Sequence, residues 1–172
     1  LAIVAEAMAV TVAAHRAAMA ATHPGVTEQA LHALVDGIFA AAGMVPAYES
    51  IVTARGEVLH GHAGPAILKP GELLLLDAGA EHPTGYATDV TRTWPVSGRF
   101  MPRQRAAYDA VLAANRASVE RVRAGQPYRE VHLASARVLA AFCVDEGLLR
   151  GSPEGLVEQG AHAVFFPHGV GH

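Results

Sequence analysis

Leu73-Leu74-Leu75-Leu76-Asp77-Ala78-Gly79 follows the turn-like Lys69-Pro70-Gly71-Glu72 and reads as a strand buried on both faces. Its inner end carries a carboxylate, which is costly to desolvate alone, so a cationic partner is expected at Asp77. Asp89 opens the alternating run Asp89-Val90-Thr91-Arg92-Thr93-Trp94. A period of two puts Asp89, Thr91 and Thr93 on one face and Val90, Arg92 and Trp94 on the other. Pro83, Thr84 and Gly85 can turn the chain between the runs. The two strands are therefore expected to pair antiparallel and bring the carboxylates together. Like charges held close disfavour each other unless a proton or a metal intervenes.

Composition narrows the class. The chain has 172 residues, 51% apolar and 17% charged, with a formal net charge of −3. That is one globular domain by size, not a disordered chain. Without a Lys/Arg cluster, neither nucleic acid nor an anionic membrane is an expected partner. Cys143 stands alone, which excludes an intrachain disulfide and suits a reducing, cytoplasmic setting. No apolar run is expected to span a membrane. Leu1 to Ala21 is interrupted by Glu6, His15 and Arg16 and lacks the basic start of a signal peptide. The chain starts without Met and stops on a histidine, so it reads as a segment of something longer.

Outward from the hairpin, helices are expected over Leu1 to about Thr22, from an N-cap at Thr27 to Gly43, from Pro102 to about Arg123, and from about Tyr128 to Glu146. Pro46 to Leu59 reads as a strand broken near Ala54-Arg55-Gly56. Gly151 to Gly155 reads as a loop and Ala161 to Phe166 as a short apolar strand. The order helix, turn, helix, strand occurs twice, which suggests two similar α+β halves about a pseudo-twofold, the second cut short.

His60, Asp77, Asp89 and the pair His168/His172 are the stations where chemistry can sit. An oxygen-rich set with one imidazole suits Mn²⁺, Co²⁺ or Zn²⁺. Singly, each has a plainer reading: Asp77 as a cap, Asp89 as an edge charge beside Arg92, His168 and His172 as incidental to a glycine-rich turn. His62 and His82 read as solvated loop histidines; His15, His23, His32, His132 and His162 read as structural.

Taken in order, the motifs say more. Val58-Leu59-His60, Leu75-Leu76-Asp77-Ala78-Gly79, Gly85-Tyr86-Ala87-Thr88-Asp89-Val90-Thr91-Arg92-Thr93 and His168-Gly169-Val170-Gly171-His172 together resemble the pita-bread metallopeptidases. That family holds methionine aminopeptidase, aminopeptidase P, prolidase and the metal-free creatinase. Met101-Pro102-Arg103-Gln104-Arg105 adds to the resemblance, and Pro167-His168-Gly169-Val170-Gly171-His172 resembles the Xaa-Pro branch. The resemblance implies an α+β pita-bread fold around a curved antiparallel sheet, incomplete at the C-terminus. It also implies an N-terminal domain in a longer parent and a homodimer in the complete protein.

For the site, the resemblance implies two divalent ions, Mn²⁺ first and Co²⁺ or Zn²⁺ as alternatives. Asp77 would bridge them, Asp89 would chelate the second and His172 would bind the first. His60 would stand near the leaving group and His168 beside the substrate, both as catalytic and substrate-binding groups. Two further glutamate ligands and another histidine of the family pattern are not matched, so three of five ligands are present. A chain ending at His172 is therefore expected to lack peptidase activity. The implied substrate is a dipeptide or peptide with Pro in second position, cleaved as by an Xaa-Pro dipeptidase or, alternatively, by aminopeptidase P. A creatinase-like hydrolase or a non-catalytic peptide-binding module would have less reason to keep Asp77 beside Asp89.

Overall fold

The computed structural model describes residues 1–171 and divides the chain into two compact units, Leu1–Phe100 and Met101–His172. In the first unit, helix α1 (Ala2–Ala21) and helix α2 (Glu28–Ala41) precede five strands: β1 (Val45–Pro46), β2 (Ile51–Thr53), β3 (Leu73–Ala78), β4 (Ala80–Glu81) and β5 (Val90–Pro95). The Thr27 side chain caps α2 by accepting from the Ala30 N–H, and Gly43, with φ +71°, ends that helical stretch as expected.

β3 is the centre of a three-stranded sheet ordered β2-β3-β5, and both of its pairings are antiparallel. The hairpin register sets Leu75 opposite Thr93 and Asp77 opposite Thr91. β1 and β4 form a separate two-stranded pair. At the tip, Gly85 donates to the His82 carbonyl and His82 to the Tyr86 carbonyl, so the expected turn lies where Pro83, Thr84 and Gly85 put it.

One expectation for β3 is corrected. Burial alternates along the strand: Leu74, Leu76 and Ala78 are fully buried, whereas Leu73, Leu75 and Asp77 are partly exposed. The leucines therefore do not mark a strand sealed on both sides. The buried set packs with Leu31, Val35 and Phe39 of α2 and Ala7, Ala14 and Ala18 of α1. Each fully buried leucine contributes roughly 2 kcal/mol, and the other face stays open for chemistry.

α1 also departs from expectation, being long and apolar enough to cross a membrane by length and composition. Its buried face, however, carries Thr11 and His15, both bonded into the hairpin region. Thr11 and Thr88 share a hydroxyl contact of 2.7 Å, and the ring nitrogens of His15 lie 3.0 Å from the Thr11 and Val90 carbonyl oxygens. A core helix with polar pins explains the same composition.

In the second unit, α3 (Pro102–Arg121) packs on α4 (Tyr128–Asp145) through small residues. Ser118 donates to the Val131 carbonyl at 2.7 Å, Ser135 donates to the Ala114 carbonyl at 3.0 Å, and the two hydroxyls are 2.5 Å apart. Two further corrections fall here. Ser152 caps a short helix α5 (Pro153–Glu158) inside what reads as a loop. Ala161–Val164 is a turn of 3₁₀-helix, not a strand. No other strand lies among the described residues of this unit to receive a ladder, and the backbone is satisfied locally by Phe165 and Phe166 donating to the His162 carbonyl.

Candidate metal centre

Asp77 is the last polar residue of β3, on the face opposite the leucine core. Asp89 lies just before β5, two residues from Thr91, the partner of Asp77 in the register. Residues two apart on a strand share a face, so the two carboxylates are diagonal neighbours across the hairpin. Four hydrogen bonds hold this corner. The Thr88 hydroxyl donates to the Ala80 carbonyl at 3.1 Å, the Ala80 N–H donates to the hydroxyls of Thr11 and Thr88 at 3.0 Å each, and the Ala47 N–H donates to the Gly79 carbonyl at 2.8 Å.

The last of these draws in Tyr48, which the sequence reading did not single out. Its hydroxyl lies 2.5 Å from Asp77 Oδ1 and 2.9 Å from Asp89 Oδ1. Burial first, then the hydrogen bond and charge of Asp77 and those of Asp89, raise the Tyr48 phenol far above its ordinary range. It stays a donor. One hydroxyl has one proton, so it serves only one carboxylate fully at a time. Where a cationic partner is expected at Asp77, the structure places a neutral phenol, and the pair remains rich in negative charge. Arg92, the alternative partner considered for Asp89, donates to the Thr91 carbonyl at 2.7 Å.

Two converging carboxylates with one shared donor fit part of the coordination sphere of a hard or intermediate divalent ion. They are part only. Among the described residues no group of three or more His, Cys, Asp or Glu side chains is placed to hold a metal. The expected third ligand, His172, lies outside the described residues.

His60 belongs to the same unit, on the exposed segment between β2 and β3, with a left-handed backbone (φ +55°) that a histidine rarely adopts. His168 belongs to the second unit, on the exposed segment after the 3₁₀ turn. Of the other histidines, His15 is structural as expected. His62 is exposed and contacts Glu49 at 2.5 Å. His82 is not a solvated side chain: it is half-buried, and its Nδ1 lies 2.8 Å from the Thr84 hydroxyl inside the hairpin tip.

The family model for metallopeptidase family M24 matches residues 2–172. The chain is similar to Xaa-Pro aminopeptidase of Escherichia coli (strain K12), 36% identical over 175 residues that cover all of this chain and 40% of that protein. Among solved structures it resembles proline aminopeptidase P II from Yersinia pestis, with 40% identity and a TM-score of 0.93 over 98% of this chain and 39% of that one. It also resembles zinc-substituted E. coli aminopeptidase P in complex with product, with 35% identity, a TM-score of 0.93 and the same coverage. The chain therefore spans about two fifths of the length of these relatives. Its α+β architecture is that of the pita-bread fold. A family match over nearly every residue, with relatives well above 30% identity, places the chain in metallopeptidase family M24.

Proposed function

We propose that the protein carrying this chain hydrolyses Xaa-Pro peptide bonds, using divalent ions held in part by Asp77 and Asp89. The observation that carries the proposal is the convergence of both carboxylates on the Tyr48 hydroxyl, at 2.5 and 2.9 Å. Such a pair gains most from a cation, and the family match supports a metallopeptidase. Divalent ions, when bound, supply Lewis acidity and a water of lowered pKa. Mn²⁺ suits the oxygen-rich donors, with Co²⁺ and Zn²⁺ as alternatives.

In this reading Asp77 and Asp89 would hold the ions, and Tyr48 would orient both carboxylates from outside. His172 completes the set from this chain. The leaving nitrogen of an Xaa-Pro bond is a ring nitrogen with no N–H, so it must receive a proton as the bond breaks. His60 is proposed to hold that proton, and His168 to hydrogen-bond the substrate. Release of the residue before proline from peptides longer than two residues is favoured over strict dipeptidase action, because the relatives are called Xaa-Pro aminopeptidases.

The test is hydrolysis by the intact, Mn²⁺-loaded protein of Ala-Pro, Ala-Pro-Ala and Ala-Ala-Ala, with metal content read alongside. Cleavage of both proline substrates, with the alanine tripeptide far slower, is the expected result. Cleavage of Ala-Pro alone would make the protein a dipeptidase, and equal rates on all three would remove the proline preference. Asp89→Asn should lower bound metal while leaving the metal-free fold as stable or more so, since it relieves repulsion. Unchanged metal content with a large loss of metal-free stability would make Asp89 a structural residue.

A further inference from the structure

We propose that Glu28 is a positioning residue for His60, acting through the exposed loop that carries it; this rests on the role proposed for His60 above. Glu28 is the first residue of α2 and is only 5% exposed. Its two oxygens take opposite ends of one loop. Oε1 accepts from the Ala54 N–H at 2.7 Å and the Thr53 hydroxyl at 3.2 Å, and Oε2 accepts from the Gly64 N–H at 3.3 Å. The Thr53 hydroxyl in turn accepts from the Arg55 N–H at 2.9 Å, which extends the grip one residue further. The main chain of α2 adds to the trailing end, with the Gln29 N–H donating to the Gly64 carbonyl at 3.0 Å.

Between these anchors residues 55–60 are exposed, and His60 sits there with its strained positive φ. A loop whose ends are fixed can hold such a conformation, whereas one with a loose end relaxes it.

The chemical type of the clamp matters. An ionised carboxylate only accepts, through two oxygens, so it can face N–H groups on both sides at once. An amide cannot, because its NH₂ would meet a second N–H. No basic side chain pairs with Glu28 among the described residues. Its charge is met by these N–H and O–H donors and by its place at the start of a helix, where negative charge is favoured. A peg needed only for packing has no use for a buried charge, which is costly unless every donor is in place.

The experiment uses the intact Mn²⁺-loaded protein and the variants Glu28→Gln, His60→Ala and their combination. Amide exchange at Ala54 and Gly64 and the kcat and KM for Ala-Pro-Ala are measured. Glu28→Gln is expected to speed exchange of at least one of the two amides while leaving residues 73–78 protected. It should lower kcat on the order of 10- to 100-fold through misplacement of His60. In the His60→Ala background, Glu28→Gln should cause no further loss of kcat, since both changes remove the same contribution. A full multiplicative loss in that background, or unchanged exchange at both loop ends, overturns the inference. Wild-type turnover in His60→Ala overturns the proposed role of His60 itself, a different result from additivity. If Glu28→Gln does not accumulate, Thr53→Val cuts one strand of the same grip and keeps the carboxylate. It should lower kcat less, and again without effect beyond His60→Ala; additivity there also overturns the proposal.

Discussion

Gly79 lies so close under Thr88 that a methyl group on its α-carbon would sit 1.7 Å from the Thr88 carbonyl oxygen and 2.5 Å from its carbon. No side chain fits there. The chain returning from the hairpin tip passes directly over the end of β3, and that approach delivers Asp89 to Asp77. The glycine thus marks the step where local backbone geometry becomes site geometry.

Gly79→Ala should therefore be among the most damaging single changes in the first unit. The obstacle is backbone rather than the end of a flexible side chain, so about 4 kcal/mol or a failure to fold is expected. Denaturant unfolding of the intact protein checks this, and a loss below about 1 kcal/mol would show that the strand crossing can open without consequence.

Tyr48→Phe removes the hydroxyl shared by the carboxylates. Without metal, the one charge-assisted donor that the two carboxylates share vanishes and the repulsion remains, so a loss of about 1–3 kcal/mol is expected. With metal bound the loss should grow, because the binding free energy that stabilises the fold weakens as well. Metal affinity should fall roughly 10- to 100-fold, as when a partner behind a ligand is removed. Thermal unfolding with and without Mn²⁺ separates the two effects; equal losses in both states would place Tyr48 in packing alone.

His132 offers a pH test in the second unit. Its Nδ1 and that of His162 are buried without a hydrogen-bond partner, and its ring stacks on Phe166 at 5.2 Å. Burial first, then the neighbouring His162, lowers its pKa below the ordinary histidine range. The unfolded chain then binds a proton that the fold refuses. Stability from this group is complete above about pH 6.5 and is lost as pH falls toward the lower folded value. His132→Phe keeps the ring and removes the proton, so its unfolding temperature should fall less between about pH 7.5 and 5 than that of the wild type. Parallel curves would exclude His132 as a source of acid sensitivity.

Much of the first unit is legible in the residues themselves. Leucine repetition, a turn at Pro83-Thr84-Gly85 and an even spacing between Asp77 and Asp89 are local signals, and the hairpin obeys them. Tyr48 is not legible because its partners lie 29 and 41 residues away. Tyr48 also precedes β2, outside any ladder, so no strand phase points to it. Glu28 hides for another reason: an acidic residue after a Thr cap is ordinary helix chemistry, and nothing local shows that it faces inward. Ser152-Pro153-Glu154 did carry a helix-start signal, masked by the glycines on either side. Ala161 to Phe166 is apolar enough for a strand, but strands also require a neighbour, and composition says nothing about neighbours.

The hairpin has an unequal tolerance for change in length. Glu81 bridges Ala87 before the tip begins, so residues between them are closed off from the ladder below. Additions at Thr84 would lengthen a solvent-facing arc and leave every pairing beneath it in place. A single residue added between Thr88 and Val90 would instead shift the parity of the chain, turning Asp89 to the leucine side of the sheet. Natural length variation in this protein's descendants should therefore collect at the hairpin tip and be purged below Ala87, and an insertion scan scored for bound Mn²⁺ would reveal that boundary as a sharp edge between tolerated and rejected sites.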